Sequence, residues 1–132
     1  WHLYQPLDTV AMEAALAHLV GQHDFQSFRA KGCSAQSTLR RINQARLYHR
    51  SDDEVVIEFE GHGFLRHQVR IMVGTLADVG LGKLPADAIP RILSKQDRLQ
   101  AGQTAPAKGL TLVSVELGSG PRQYDEDEGQ LL

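Results

Sequence analysis

Two arginines four residues apart, Arg66 and Arg70, have types and spacing that could do chemistry. They lie in residues 64–74, whose apolar side chains recur at helical spacing, and residues four apart share one face of a helix. If the helix begins near Phe64 or Leu65, Arg66 lies in its first turn, where the helix dipole disfavours a cation by about 0.3–1 kcal/mol. A phosphate or a carboxylate from another segment would offset that cost. The alternative is a pair of exposed arginines that water screens.

The segment from Phe25 to Ser51 is basic. It has no acidic residue, and its six cations are Arg29, Lys31, Arg40, Arg41, Arg46 and Arg50. The net charge of the whole chain is −2, so composition alone does not indicate nucleic-acid binding. A locally basic stripe can still follow a row of phosphates, but a solvated polar face explains the charges equally well.

Six histidines and one cysteine raise the question of a metal site or a thiol nucleophile. His62 and His67 are five residues apart, which does not place both on one helical face, and neither H-E-x-x-H nor C-x-x-C occurs. Cys33 has Gly32 and Ser34 as neighbours and no evident base. We therefore expect neither a metal site nor a thiol nucleophile. A single cysteine excludes an internal disulfide and fits a reducing cytosol, so we expect a cytoplasmic protein.

Apolar periodicity and turn residues predict the first half of the framework that positions these side chains. Asp8 is predicted to cap a first helix, and Gly21 is predicted to end it. Residues 23–30 are predicted to form a turn of helix followed by loop. Two strands, from about residue 39 to 49 and from residue 54 to 60, flank the turn residues 51–53, which predicts a hairpin.

The second half of the chain is predicted to contain two helices and a strand. The longer helix runs to about Val79, and the shorter one covers about residues 87–94. Residues 96–109 look like loop, and residues 110–117 are predicted to be a strand. The order α-β-β-α-α-β predicts an α+β fold, in which helices pack on one face of an antiparallel sheet.

Length and composition limit the number of domains and exclude a membrane-spanning helix. The chain has 132 residues, 42% of them hydrophobic, which is enough for one domain with its own core. No apolar run approaches the roughly 20 residues of a membrane span, so we expect no membrane partner. The chain starts at Trp1 rather than Met, so we expect a piece of a longer protein. Residues 118–132, which include a run of four acids, are predicted to be a disordered tail.

The run F-L-R-H-Q-V-R-I-M-V-G at residues 64–74 resembles the F-L-x-H-x-V-R-x-x-V-G helix of the TruA-type tRNA pseudouridine synthases. Further stretches resemble the C-terminal half of that family and follow in the expected order: residues 1–8, 21–29, 38–42, 79–83 and 97–112. The resemblance covers roughly residues 1–117, which it identifies as the family's C-terminal domain. It implies that the N-terminal catalytic half is absent from this chain.

The resemblance also implies an activity. Enzymes of this type isomerise uridine to pseudouridine on the 3′ side of the anticodon arm of tRNA, without metal or organic cofactor, and they work as homodimers. Their catalytic aspartate lies in an R-T-D-A-G-type motif of the N-terminal half, and no such motif occurs here. We therefore expect the chain to need that half as a partner and to be inactive alone. The alternative is a non-catalytic RNA-binding or dimerisation module of the same fold.

Individual roles follow from the family's motifs. Arg70 matches the active-site arginine, whose expected role is an ion pair that keeps the catalytic carboxylate ionised and oriented. Leu110 matches an apolar residue that packs near the target base, although an ordinary core position explains it as well. Arg66 departs from the usual His or Tyr, and we assign it an extra phosphate contact. The residues expected to contact RNA are Arg29, Arg40, Arg41, Arg66 and His67.

Overall fold

The computed structural model describes residues 1–113. Within this range, three α-helices accompany a three-stranded sheet. In chain order the elements are α1 (Thr9–Ala17), β1 (Gly21–Asp24), β2 (Leu39–Ser51), β3 (Glu54–His62), α2 (Gln68–Gly80) and α3 (Ala88–Lys95). Short 3₁₀ helices lie at Gln26–Phe28, Arg98–Gln100 and Ala107–Gly109. The prediction of an α+β fold is confirmed.

Helix α1 begins where the sequence predicted and ends earlier. The Asp8 carboxylate accepts a hydrogen bond from the Ala11 amide at 3.1 Å, as expected of an N-cap. The helix stops at Ala17, and the amide of Leu19 then bonds to the carbonyl oxygen of Leu16 in a tighter turn that buries Leu19 completely. Gly21 is not the residue that ends the helix. With φ +109° it starts β1, a backbone angle that favours glycine.

The sheet is antiparallel with the order β1-β2-β3. The hairpin of β2 and β3 turns at residues 52 and 53, which confirms that prediction. Strand β1 was missed, because four residues that comprise a glycine and three polar side chains carry almost no strand pattern. A β-bulge between Ile42 and Gln44 shifts the alternation of β2 by one residue. Ile42 before the bulge and Leu47 after it are therefore both buried.

The core lies between the sheet and the helices. Helix α1 packs on α2, and the buried side chains of α2 include Ile71, Met72, Leu76 and Val79. Two fully buried aromatic rings, Phe25 just before the first 3₁₀ helix and Phe28 at its end, contact each other edge to face, with centroids 6.2 Å apart. Both rings belong to the hydrophobic core, and the buried side chains of α2 pack in the same cluster.

The last described segment, residues 96–113, agrees with the predicted loop but not with the predicted strand. Residues 96–109 are loop apart from two 3₁₀ turns, as expected. Residues 110–113 are not strand: the amide of Leu110 bonds back to the carbonyl oxygen of Ala107 at 2.9 Å, and no neighbouring strand pairs with this segment. Residues 114–117 and the predicted tail 118–132 lie outside the described residues. Within residues 1–113, no helix is both long and apolar enough to cross a membrane.

Candidate active site

The site is built around the start of α2, which lies three residues later than predicted. His67 adopts the left-handed conformation, with φ 59°, and so separates residues 64–66 from the helix. The side chain of Gln68 is buried, and its Oε1 accepts the amide of Leu65 at 2.8 Å. The prediction that Arg66 occupies the first turn is therefore wrong, since Arg66 precedes the helix. Arg70, the third residue of α2, lies in the first turn of the helix, close to the positive end of its dipole.

Arg70 is tied to a distant loop by two hydrogen bonds. Its Nε donates to the carbonyl oxygen of Ala105 at 2.8 Å, and the Ala105 amide donates to the carbonyl oxygen of Arg70 at 2.9 Å. The Nε bond fixes the plane of the half-buried guanidinium and leaves its terminal nitrogens for another partner. Within residues 1–113, no acidic side chain forms an ion pair with Arg70. The site thus presents an oriented cation that has no counter-charge among the described residues.

The loop that holds Arg70, residues 102–105, packs directly against the backbone of α2 because the helix has a glycine at the contact. A Cβ on Gly74 would overlap the carbonyl oxygen of Gln103. One residue further along the helix, the Thr75 hydroxyl accepts the Gly102 amide at 2.9 Å. Next, Asp78 accepts a hydrogen bond from the side-chain amide of Gln103 at 3.0 Å. The helix residues 70, 74, 75 and 78 therefore form one docking face for residues 102–105.

Arg98 holds the same loop from its other side, a role that the sequence did not reveal. Its two terminal nitrogens donate to the Gly102 carbonyl oxygen at 2.8 Å and to the Thr104 hydroxyl at 3.1 Å. Both acceptors are neutral, and burial lowers the pKa of Arg98. The only available signal was an arginine a few residues before a Gly-Gln-Thr turn, which is too common a pattern to assign a role.

The predicted RNA-binding residues fall into two groups. Arg66 and His67 lie within four residues of Arg70, and the Ala30 amide, next to Arg29, bonds to the Arg66 carbonyl oxygen at 3.0 Å. By contrast, Arg40 and Arg41 belong to β2, and because they are consecutive their side chains leave the sheet on opposite faces. The structure therefore places Arg66 and His67 beside Arg70 and the segment of Arg29 beside Arg66, and it does not unite Arg40 with Arg41.

The basic side chains near the start of α2 differ in their hydrogen-bond partners. The Nε of Arg66 is buried, and no described residue hydrogen-bonds to it. Burial lowers the pKa of His67, and the cations Arg70 and Arg66 lower it further. The Arg29 guanidinium donates to the carbonyl oxygen of Ala35 at 3.3 Å. Positive charge thus accumulates before α2 without compensation from described acids, which favours an anionic ligand there.

Leu110 and the candidate metal ligands complete the site residues considered from sequence. Leu110 follows the last 3₁₀ helix, is half-buried and packs against the core. In the described part of the chain, His, Cys, Asp and Glu side chains form no group of three or more that could hold a metal ion. Cys33 is a half-buried free thiol.

Comparison with known proteins gives a consistent picture. Residues 15–117 match the family model described as tRNA pseudouridine synthase. The chain is 47% identical over 115 residues to tRNA pseudouridine synthase A of Geotalea uraniireducens, which covers 87% of this chain and 47% of that protein. The corresponding enzyme of Myxococcus xanthus is 42% identical over 137 positions, covering 98% and 52%, and that of Acidiphilium cryptum is 51% identical over 116, covering 87% and 45%. The chain spans about half the length of the curated relatives it matches.

Proposed function

The chain belongs to the tRNA pseudouridine synthase family, and from that premise we propose that it forms one wall of the active site of a tRNA pseudouridine synthase. The enzyme isomerises uridine in the anticodon arm of tRNA. In that reaction the bond between N1 and C1′ breaks, a bond between C5 and C1′ forms, and the proton lost from C5 is balanced by one gained at N1. Because no atom or electron is gained or lost overall, the reaction needs no redox partner.

The observation that carries this proposal is the state of Arg70. Its guanidinium is oriented through Nε, half-buried, close to the positive end of a helix dipole, and without an acidic partner among residues 1–113. A cation in that position is electrostatically unfavourable unless an anion meets it. We assign the anion to the catalytic carboxylate of an R-T-D-A-G-type motif in the N-terminal half of the enzyme. The ion pair would keep that carboxylate ionised and aimed at the nucleotide.

The substrate and partner assignments rest on the same family membership. The tRNA would contact the cations near α2, namely Arg29 and Arg66 with His67, while Arg40 and Arg41 would meet phosphates at the sheet. Leu110, apolar and half-buried, would pack near the target base. We place the enzyme in the cytoplasm as a homodimer, in which each chain of the present sequence is joined to its N-terminal half.

The decisive experiment replaces Arg70 in the complete enzyme that contains this chain. Arg70→Ala should lower kcat by about a hundredfold or more while tRNA affinity changes little, because the lost interaction is with the catalytic carboxylate. Turnover is followed by release of tritium from C5 of labelled uridine in tRNA. The matched control is Arg91→Ala on α3, whose exposed guanidinium pairs with Asp87 at 3.4 Å and which should leave kcat unchanged.

Two results would count against the proposal. If Arg70→Ala weakened tRNA binding and left kcat intact, Arg70 would be a phosphate contact rather than the partner of a carboxylate. If the complete enzyme bound tRNA but formed no pseudouridine, the chain would belong to a non-catalytic binding module of the same fold.

A further inference from the structure

An open cavity of about 450 Å³ lies beside the loop that holds Arg70. Its polar wall consists of Lys31, Arg98 and Thr104, and its apolar wall includes Ile71 and Leu99. Cavities of this size hold small organic ligands in other proteins, with a few polar groups fixing the ligand in an apolar surround. The dimensions therefore suit a group as large as a nucleotide.

The charge of the cavity is positive and uncompensated. Among residues 1–113, no acidic residue lines the cavity, and the Lys31 ammonium has no hydrogen-bond or ion-pair partner. The hydrogen bonds of Arg98 go to two neutral oxygens, and burial lowers its pKa. A half-buried guanidinium with only neutral partners is costly in the unliganded protein, and an arriving anion would remove that cost.

The polar groups around the cavity can meet a phosphate. Arg98 uses two of its five N–H groups for the loop, so others remain to donate. The Thr104 hydroxyl accepts a hydrogen bond from Arg98 and can donate its own hydrogen to an anionic oxygen. Leu99, whose side chain is 87% exposed at the rim, offers an apolar surface to a sugar or base.

The position of the cavity links it to the proposed active site. Ile71 follows Arg70 on α2, and Thr104 precedes Ala105, whose carbonyl oxygen holds the Arg70 Nε. We infer that this cavity binds a backbone phosphate of the RNA substrate, next to the nucleotide presented to Arg70. The inference rests on the proposed function, since it takes the anion to be part of an RNA strand. It adds Lys31, Arg98 and Thr104 as phosphate-binding residues.

The test compares two lysine substitutions that remove the same charge. Lys31 is exposed in the turn at the cavity, and Lys95 is exposed at the end of α3 and does not line it. Binding of a fluorescein-labelled oligouridylate to the 132-residue chain is measured over a range of salt concentrations. For Lys31→Gln, affinity should depend less steeply on salt. The magnitude of the slope of log affinity against log salt should decrease by about 0.7, the value for one single-strand phosphate contact. For Lys95→Gln, affinity and slope should stay as in the unmodified chain.

Amide chemical shifts then show where the anion binds and whether the site prefers an RNA strand or free phosphate. Titration with oligouridylate should shift the amides of Ala30, Lys31, Ala101 and Thr104 in proton–nitrogen correlation spectra, and inorganic phosphate should shift them only at much higher concentration. If phosphate acted at concentrations as low as the RNA, the cavity would be a site for free phosphate, and the RNA assignment would be overturned.

The remaining outcomes separate this inference from the proposed function. Equal salt slopes for the two lysine variants, with no shifts at the cavity amides, would overturn the phosphate site and leave the role of Arg70 untouched. A complete lack of oligouridylate binding by the unmodified chain, even at low salt, would overturn the phosphate site and argue against tRNA as the partner. Normal RNA binding with an unaffected kcat in the Arg70 variant would instead contradict the catalytic assignment alone.

Discussion

At the scale of single residues, Arg70 shows why the position calls for arginine rather than lysine. One nitrogen of its guanidinium is bonded to the Ala105 carbonyl oxygen, and the terminal nitrogens remain for a second partner in a fixed plane. A lysine ammonium is a single point of charge, and it cannot hold the loop through one atom and present a rigid fork through two others. A lysine at this position would therefore keep the positive charge but lose the fixed orientation.

His67 gives a prediction at the same scale. Its pKa is lowered from 6.5 by burial and by the cations Arg70 and Arg66. As the pH falls through 6.5, the unfolded chain takes up this proton before the folded one does, so the contribution of His67 makes the protein less stable with acidification. Well above pH 6.5 both states are neutral, and the contribution vanishes. NMR titration of the His67 ring should give a pKa below 6.5.

Two further measurements sharpen the His67 prediction. The variant His67→Asn tolerates the left-handed backbone and carries no titrating ring, so its unfolding free energy should fall less between pH 7 and pH 5. If RNA phosphate approaches His67 as proposed, adding oligouridylate should raise the ring's pKa. An unshifted or higher pKa in the free chain would contradict this account, in which burial and the neighbouring arginines together disfavour the charged ring.

At the scale of elements, the important contact is between α2 and the loop at residues 102–105. The contact depends on Gly74, because the loop backbone occupies the space where a side chain would begin. It also depends on side chains at both ends, with Arg70 near the start of the helix and Asp78 two turns later. The helix thus serves as a template for a segment that has little regular structure of its own.

Gly74→Ala should lift this loop from the helix. Alanine favours a helix over glycine by about 1 kcal/mol, but overpacking costs typically about 1–3 kcal/mol, so the net change in unfolding free energy should be small or unfavourable. The local effect should be larger: the Ala105 amide should lose protection against hydrogen exchange relative to amides in the core of α2. In the complete enzyme, kcat should fall as Arg70 loses its tether.

The control for this prediction is Gly82→Ala. Open space surrounds that position, but its φ of +79° penalises any side chain. It should lower global stability without selective loss of protection at Ala105. Equal protection of Ala105 in the Gly74→Ala variant and the unmodified chain would show that the loop does not need the glycine.

The same elements show how far sequence alone could predict the fold and the site. The hairpin was predictable because alternation and turn residues act locally, and Arg70 was chosen as a candidate because its motif resembles that of the family. The start of α2 was misplaced because His67 adopts a left-handed backbone that is unusual for histidine. Strand β1 exists because β2 offers it a pairing edge, and Arg98 gained its role from a loop folded back on a helix. Such long-range contacts have no local pattern.

At the scale of the whole molecule, the chain spans about half the length of the relatives it matches. We predict that the 132-residue chain alone forms no pseudouridine in tRNA, because its sequence contains no R-T-D-A-G-type motif to supply the carboxylate that we propose as the partner of Arg70. Tritium release from labelled anticodon-arm RNA measures this directly. The positive control is the complete enzyme under identical conditions.

Activity of the isolated chain would contradict that prediction and require a nucleophile among its own residues. A complementary assay mixes the chain with the separately expressed N-terminal half of a relative. Restored turnover that disappears with Arg70→Ala would place both walls of the active site in one assembly. No restoration, with binding between the halves demonstrated, would argue that this chain does not contribute to catalysis.

The tether between Arg70 and Ala105 also has a consequence for biosynthesis. The two residues are 35 positions apart in the chain, so a ribosome working at about 5–20 residues per second makes the arginine roughly 2–7 s before the carbonyl that orients it. Helix α2 can form early, yet the Arg70 side chain acquires a fixed geometry only when the later loop is made. The order of translation therefore makes orientation of the guanidinium one of the last steps in the maturation of this domain.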